Sequence, residues 1–208
     1  MKRFLLVDDH VVVRSGVHGL LSEIYQPCEV DEAGDTQTAT EKLKQHSYDL
    51  IMMDIQMPNS DTLGLMEYIK VKYPEAKVLI FSMSAENIYA KRFLKAGAMG
   101  FLSKDSPLDE IIKAFNLILN NRKYISESFA ETLADASFSR TPDNPFEKLS
   151  PREFEITKLL LTGQTISDIS KTLNLQLSTV GTHKSRAFEK LGINNLLELK
   201  ELATGYNL

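Results

Sequence analysis

The chain has 208 residues, 43% of them hydrophobic and 25% charged, with a net charge of −4; this is the balance of a globular protein of one or two domains, not of a disordered or fibrous chain. No apolar run approaches the roughly 18 residues that a membrane span needs, and the apolar stretch in "MKRFLLVDDH" is too short for a signal peptide. With a single cysteine, Cys28, there is no internal disulfide, and no Cys/His spacing suggests zinc; a reducing cytoplasm is the expected location and no membrane partner is expected.

Short apolar runs recur along the first 125 residues: "RFLLV" (3–7), "CEVDEA" (28–33), "DLIMM" (49–53), "KVLIFS" (77–82) and "GFLS" (100–103). Segments with helical spacing lie between them. Val13, Val17, Leu20, Leu21 and Ile24 share one face, as do Leu108, Ile111, Ile112, Phe115 and Ile118. Strands alternating with helices imply a parallel sheet covered on both sides, a (βα)5 doubly wound α/β domain over residues 1–125.

Ligands of such sheets bind outside the carboxyl ends of the strands. Asp8 and Asp9 follow the first run, Asp54 the third, Ser82 ends the fourth, and Lys104 lies just past the fifth. Three acids, a hydroxyl and an ammonium are therefore expected on one edge, with the acids as a cation site. The plain alternative is that Asp8 and Asp9 cap the following helix. Capping accounts for one aspartate and poorly for two. His10 is read as part of the loop or first helix turn, because a hard ion such as magnesium disfavours imidazole. Met52 and Met53 read as core.

Residues 126–147 carry one basic residue against five acidic ones and form the expected linker. Its first half has the composition of a short helix; Pro142 and Pro145 break the second half.

Residues 148–208 carry 8 basic against 6 acidic residues, the one net-positive segment, and read as a small all-α domain of four helices. "LSPREFEITKLLLTG" has Ser150 as N-cap, Pro151 at the first helical position and Glu153 completing a capping box, with Gly163 as its stop. "TISDISKTL" follows, then "STVGTHKSRAFEKLG", in which Val180, Phe188 and Leu191 are apolar and Gly192 ends the run, then "NLLELKELAT". Two short helices joined by a tight turn, the second bearing Thr182, His183, Lys184, Ser185 and Arg186, read as a helix-turn-helix. Gly181 is unusual inside a helix, where it costs about 0.8–1 kcal/mol relative to alanine; close approach to DNA would explain it. The alternative is an ordinary solvated polar face. Leu196, Leu197, Leu199 and Leu202 in the last helix offer more apolar surface than a small domain buries, a candidate dimer face.

Both halves resemble one family. The first resembles the receiver domain of bacterial two-component response regulators, and the second the LuxR-type helix-turn-helix of the NarL/FixJ subfamily. The likeness rests on "LLVDDH", "MMDIQMPNSD", "LIFSMS", "KAGAMGFLSK", "LSPREFEI" and "TVGTHKSRAFEKLGI", in that order, and spans all but the linker. The resemblance implies that Asp54 accepts a phosphoryl group from a sensor histidine kinase. It implies Mg2+ on Asp9, Asp54 and the backbone carbonyl of Gln56, with Asp8 acting through water. It implies that Lys104 and Ser82 contact the phosphoryl oxygens, and that Phe101 is the aromatic that reorients with Ser82. It further implies a homodimer on phosphorylation and double-stranded DNA as target, met by Thr179, Gly181, Thr182, His183, Lys184, Ser185 and Arg186, with Gly181, Thr182 and Ser185 facing bases. The departures from the common pattern are Thr62 where glycine is frequent, the bulky Met83 after Ser82, and Phe101 in place of tyrosine.

Two other functions stay open at this point. A phosphohydrolase resembling the haloacid dehalogenase family would need an acid two residues after its nucleophile, and that position is Gln56. A receiver that no longer takes phosphate and only binds partners would have no need of the full set of acidic and basic groups.

Overall fold

The computed structural model describes residues 1–58, 60–138, 144–206 and 208. The chain divides into two compact units, Met1–Ser137 and Phe138–Leu208. Among the described residues no helix is long and apolar enough to cross a membrane.

The first unit contains β1 (Lys2–Val7), α1 (Val11–Ile24), β2 (Cys28–Ala33), α2 (Thr36–Gln45), β3 (Leu50–Met53), α3 (Thr62–Lys72), β4 (Val78–Ser82), α4 (Glu86–Lys95), β5 (Gly100–Ser103), α5 (Leu108–Leu119) and α6 (Glu127–Phe138). The five strands pair in parallel in the order β2-β1-β3-β4-β5. Each expected strand is present. Alternation along the strands sorts the core into two layers. Leu5, Val7, Ile51, Met53 and Ile80 pack with Ala39 and Leu43 of α2, Met66 and Ile69 of α3, and Ala90 and Phe93 of α4. Phe4, Leu6, Met52, Leu79 and Leu102 face the other way, onto Val17 and Leu21 of α1 and Phe115 and Ile118 of α5. Leu108, expected on the inner face of α5, is the first residue of its helix and is 57% exposed.

The segment 126–147 is not uniform. Its first part is the helix α6, whose Phe129 is buried in the layer that holds Ala90, Phe93 and Phe101. Ser126 accepts the Phe129 N–H at 3.1 Å and donates its hydroxyl to Glu86 Oε2 at 2.6 Å, tying the start of α6 to the first turn of α4. Pro145 opens a short 3-10 helix, Pro145–Lys148, that buries Phe146 in the second unit. The break expected at Pro142 lies outside the described residues.

The second unit holds α7 (Pro151–Leu161), α8 (Ile166–Thr172), α9 (Leu177–Leu191) and α10 (Leu196–Gly205). The expected capping box forms: Ser150 Oγ accepts the Glu153 N–H, and Glu153 accepts the Ser150 N–H at 2.7 Å. Thr165 and Asp168 form a second box on α8. Gly163 and Gly192 take positive φ of 86° and 69° as helices end, the conformation for which glycine pays no Cβ penalty. Val180 and Phe188 are buried with Phe154, Ile156 and Ile169. Glu153 is also buried, and Lys190 Nζ at 2.6 Å neutralises it, tying α9 to the start of α7. Of the four leucines of α10, Leu199 is fully buried, Leu202 half-buried, and Leu196 and Leu197 exposed, a smaller apolar face than expected.

Candidate functional site

The sheet register builds the first site. Val7 of β1 lies beside Met53 of β3, so the next residues, Asp8 and Asp54, leave the sheet side by side, and Asp54 N–H donates to Val7 O at 2.8 Å. Ser82 pairs with Ser103, and Lys104 N–H donates to Ser82 O at 3.1 Å. The strand order reverses between β1 and β3, and this switch point is where such sheets open a crevice.

Asp8, Asp54, Ser82 and Lys104 converge there. Lys104 Nζ stands 2.7 Å from Asp54 Oδ2 and 2.6 Å from Asp8 Oδ2. Ser82 Oγ donates to Asp54 Oδ1 at 2.6 Å, and the backbone N–H of Gln56 donates to the same oxygen at 3.0 Å. Both Asp8 and Asp54 are buried, whereas Asp9 is partly open. Burial pushes the Asp54 carboxyl up, but the hydrogen bonds from Lys104, Ser82 and Gln56 outweigh it and hold the group below the usual carboxylate range. Burial likewise pulls the Lys104 ammonium down, and its bonds to Asp54 and Asp8 reverse that, leaving it raised.

The acids do not cap α1. His10 is its N-cap residue, no side chain caps it, and no acid lies in its first turn. Asp8 instead accepts the His10 N–H on Oδ1 at 2.9 Å. One ligand atom from each of Asp8, Asp9, His10 and Asp54 lies within 4.8 Å of the others. Three carboxylates against one lysine leave the pocket short of positive charge, and Asp9 Oδ1 is shielded from solvent without a hydrogen bond from any described residue. An oxygen-rich, charge-deficient pocket of this kind suits a hard divalent cation.

Phe101 is fully buried in the core layer beneath the site. Met83 is 58% exposed. Thr62 is buried and donates to Ile55 O at 3.3 Å, so it ties α3 to the loop that follows Asp54. Periodicity missed three contributors. Arg14 Nη1 holds Asp8 O at 2.6 Å while its Nε donates to Glu32 Oε2 at 3.0 Å; its place one turn after "DDH" was the available signal. Ser84 is buried, with its N–H donating to Ser82 Oγ at 3.3 Å. His10 Nδ1 faces both Asp8 and Asp9.

In the second unit, α8, the turn and α9 give the helix-turn-helix. Thr182, Ser185 and Arg186 are exposed on α9 at helical spacing, with Glu189 on the same side. Thr182 Oγ1 donates to Ser178 O at 2.9 Å, so its hydroxyl proton is committed to the helix. Gly181 is half-buried, and a Cβ there would meet nothing within 4 Å. Thr179, His183 and Lys184 are half-buried; Lys184 Nζ lies 5.2 Å from the centre of the Phe188 ring, and His183 Nδ1 is shielded from solvent. The sequence expected one polar face, and the structure divides it into an outward and an inward part.

Residues 4–116 match the response regulator receiver domain family, and residues 147–203 match the luxR family of bacterial regulatory proteins. The chain is 33% identical over 208 residues to the response regulator GacA of Pseudomonas protegens, covering 100% of this chain and 98% of that protein. It is 31% identical over 209 residues to the response regulator UvrY of Escherichia coli, covering 100% and 96%. Its fold is similar to that of RcsB from Salmonella enterica serovar Typhimurium, solved on promoter DNA with a phosphomimetic, with a TM-score of 0.75 at 23% identity over 98% of each chain. The chain belongs to the NarL/FixJ-type response regulators, which join a receiver domain to a LuxR-type helix-turn-helix DNA-binding domain.

Proposed function

We propose that Asp54 is the phosphoacceptor and that its phosphorylation by a sensor histidine kinase controls dimerisation and sequence-specific binding of double-stranded DNA, so that the chain regulates transcription. The observation that carries this is the grip on Asp54, a buried carboxylate held by Lys104 and Ser82 in a pocket short of positive charge. One Asp54 oxygen attacks phosphorus as the bond to the kinase histidine nitrogen breaks, and the imidazole keeps the electron pair. Lys104 and Ser82 then turn from the carboxylate to two phosphoryl oxygens. Such a transition state gathers negative charge on its equatorial oxygens and is stabilised by positive charge placed around them.

Asp8, Asp9, Asp54 and the backbone carbonyl of Gln56 are the residues that would hold Mg2+. Bound there, the ion would supply neutralisation of the negative charge that gathers in the transfer. Phe101 is the aromatic that follows Ser82 when it moves. The transfer is stoichiometric and the protein is not an enzyme: Gln56 offers an amide where a hydrolase would need a second acid. The receiver spans 1–125 with α6 of the 126–147 segment packed against it, the rest of that segment is the linker, and the DNA-binding domain spans 148–208, acting in the cytoplasm.

On the DNA side, Thr182, Ser185 and Arg186 have the exposure a reading face needs. Gly181 permits close approach, while Thr179, His183 and Lys184 border the face. The test is intact-mass analysis after incubation with Mg2+ and acetyl phosphate. A single phosphoryl group per chain is expected, and none on Asp54→Asn; normal labelling of that variant would overturn the assignment.

A further inference from the structure

We propose that His10 gives the acidic pocket a second mode of metal binding, in which Asp8, Asp9 and the His10 imidazole hold a borderline first-row divalent ion, with Zn2+ the best fit, in competition with Mg2+. The inference rests on reading the pocket as a cation site, and it concerns which ion can enter and with what result.

Three potential ligand atoms lie close together. His10 Nδ1 stands 3.0 Å from Asp9 Oδ1 and 3.2 Å from Asp8 Oδ1. In tetrahedral or octahedral coordination with bonds of about 2.1 Å, neighbouring ligand atoms lie about 3.0–3.4 Å apart. Both separations match an edge of such a polyhedron. The His10 ring nitrogen is within hydrogen-bond distance of Asp8 Oδ1, so a ring proton or a cation can bridge the pair.

Among the described residues, Asp8 Oδ1 is met by the His10 N–H and ring alone. Asp9 Oδ1 is shielded from solvent and takes no hydrogen bond from any described residue. Lys104 is committed to the other oxygens, Asp8 Oδ2 and Asp54 Oδ2. Arg14 is committed to the Asp8 carbonyl and Glu32.

The ring is also held in place and reachable. His10 is anchored by its N–H bond to Asp8 Oδ1, and its carbonyl accepts the Arg14 N–H at 3.1 Å in the first turn of α1. Its side chain is 62% exposed, which leaves an entry path from solvent. Imidazole with carboxylates suits zinc, whereas Mg2+ disfavours nitrogen and keeps to oxygen.

The two modes share Asp8 and Asp9 and so exclude each other. An ion held on the His10 side leaves Asp54 in its bonds with Lys104, Ser82 and Gln56. The receiver then lacks the cation that phosphorylation needs. Zinc is in this way an inhibitory ligand of the same pocket.

The test uses the full-length chain. Zn2+ affinity is measured by competition with a chromophoric chelator, with and without Mg2+, and Mg2+ affinity is measured separately by calorimetry. The proposal expects Mg2+ to displace Zn2+ competitively. It expects His10→Gln to lower the ratio of Zn2+ to Mg2+ affinity by about tenfold, equivalent to about 1.4 kcal/mol. His18→Gln, which alters a histidine paired with Glu32 outside the pocket, should leave that ratio unchanged. In the wild type, ring NMR signals of His10 should shift with stoichiometric Zn2+, a readout independent of any variant. An unchanged ratio in His10→Gln, or ring signals that ignore Zn2+, would overturn the proposal and leave a proton as the bridge. Failure of Mg2+ to bind the wild type would instead count against the phosphoacceptor reading, while the dependence of Zn2+ on His10 still decides this one.

Discussion

Lys104 Nζ lies 2.7 Å from Asp54 Oδ2 while the same nitrogen lies 2.6 Å from Asp8 Oδ2, so a single ammonium holds two buried carboxylates together. Removing one partner of a buried ion pair strands the remaining charge, at about 3–5 kcal/mol. Lys104→Met should therefore lower the stability of the metal-free chain by about 3 kcal/mol near neutral pH, with partial recovery in Mg2+. Urea unfolding with and without the ion measures both.

The same pair sets a pH window. Asp54 is depressed, so its contribution is present above the ordinary aspartate value of about 3.9 and fades as pH falls through its lower folded value. Lys104 is raised, so its contribution is present below the ordinary lysine value of about 10.4 and fades as pH rises through its higher folded value. The stability gap between wild type and Lys104→Met should be widest between these limits and close toward both. A gap that stays constant down to pH 2 would contradict the assignment.

Ser82→Ala removes a charge-assisted hydrogen bond to Asp54 Oδ1, of a kind contributing about 1.5–3 kcal/mol. Labelling by acetyl phosphate should persist, because Asp54, its acidic neighbours and Lys104 remain. The increase in hydrodynamic size with beryllofluoride, expected for the wild type, should shrink or vanish. Light scattering on both proteins checks it.

Gly181 predicts opposite effects on folding and on DNA. Since a Cβ there meets nothing within 4 Å, Gly181→Ala should stabilise the second unit by about 0.8–1 kcal/mol. DNA affinity should fall, because the methyl group occupies the space of close approach. Thr182→Ala should change which sequences are preferred, its hydroxyl proton being spent on Ser178 O and its methyl group left for thymine. Arg186→Ala should weaken binding on all sequences and flatten the salt dependence. Lys184→Ala is a less clean probe, since it also removes packing over Phe188. Selection from a randomised duplex pool at two salt concentrations separates these outcomes.

Phe129 tests where the receiver ends. Its burial against the layer of Ala90, Phe93 and Phe101 means that Phe129→Ala should cost about 3–5 kcal/mol. A fragment ending at residue 137 should then be markedly more stable than one ending at 125, as urea midpoints would show. Equal midpoints would make α6 a passive part of the linker.

What the sequence determined by itself is what local physics controls. Four of the five runs declare strands because a buried parallel strand must be apolar on both faces, whereas β2, at the sheet edge, keeps Glu29, Asp31 and Glu32 and is only partly buried. Ser150, Pro151 and Glu153 declare a helix start because their bonds span only three residues. The topology rule for doubly wound sheets then assigned Asp8, Asp54, Ser82 and Lys104 to one edge without any coordinates. Only the tertiary structure decided how those groups pair. That Lys104 bridges Asp54 and Asp8, that Arg14 pins the Asp8 carbonyl, and that His10 turns its ring onto both acids depend on strand register and on the path of the loop after β1. The inward turn of Lys184 and the burial of Phe129 belong with them. Neither leaves a periodic trace, because each depends on a partner brought near by packing rather than by chain spacing.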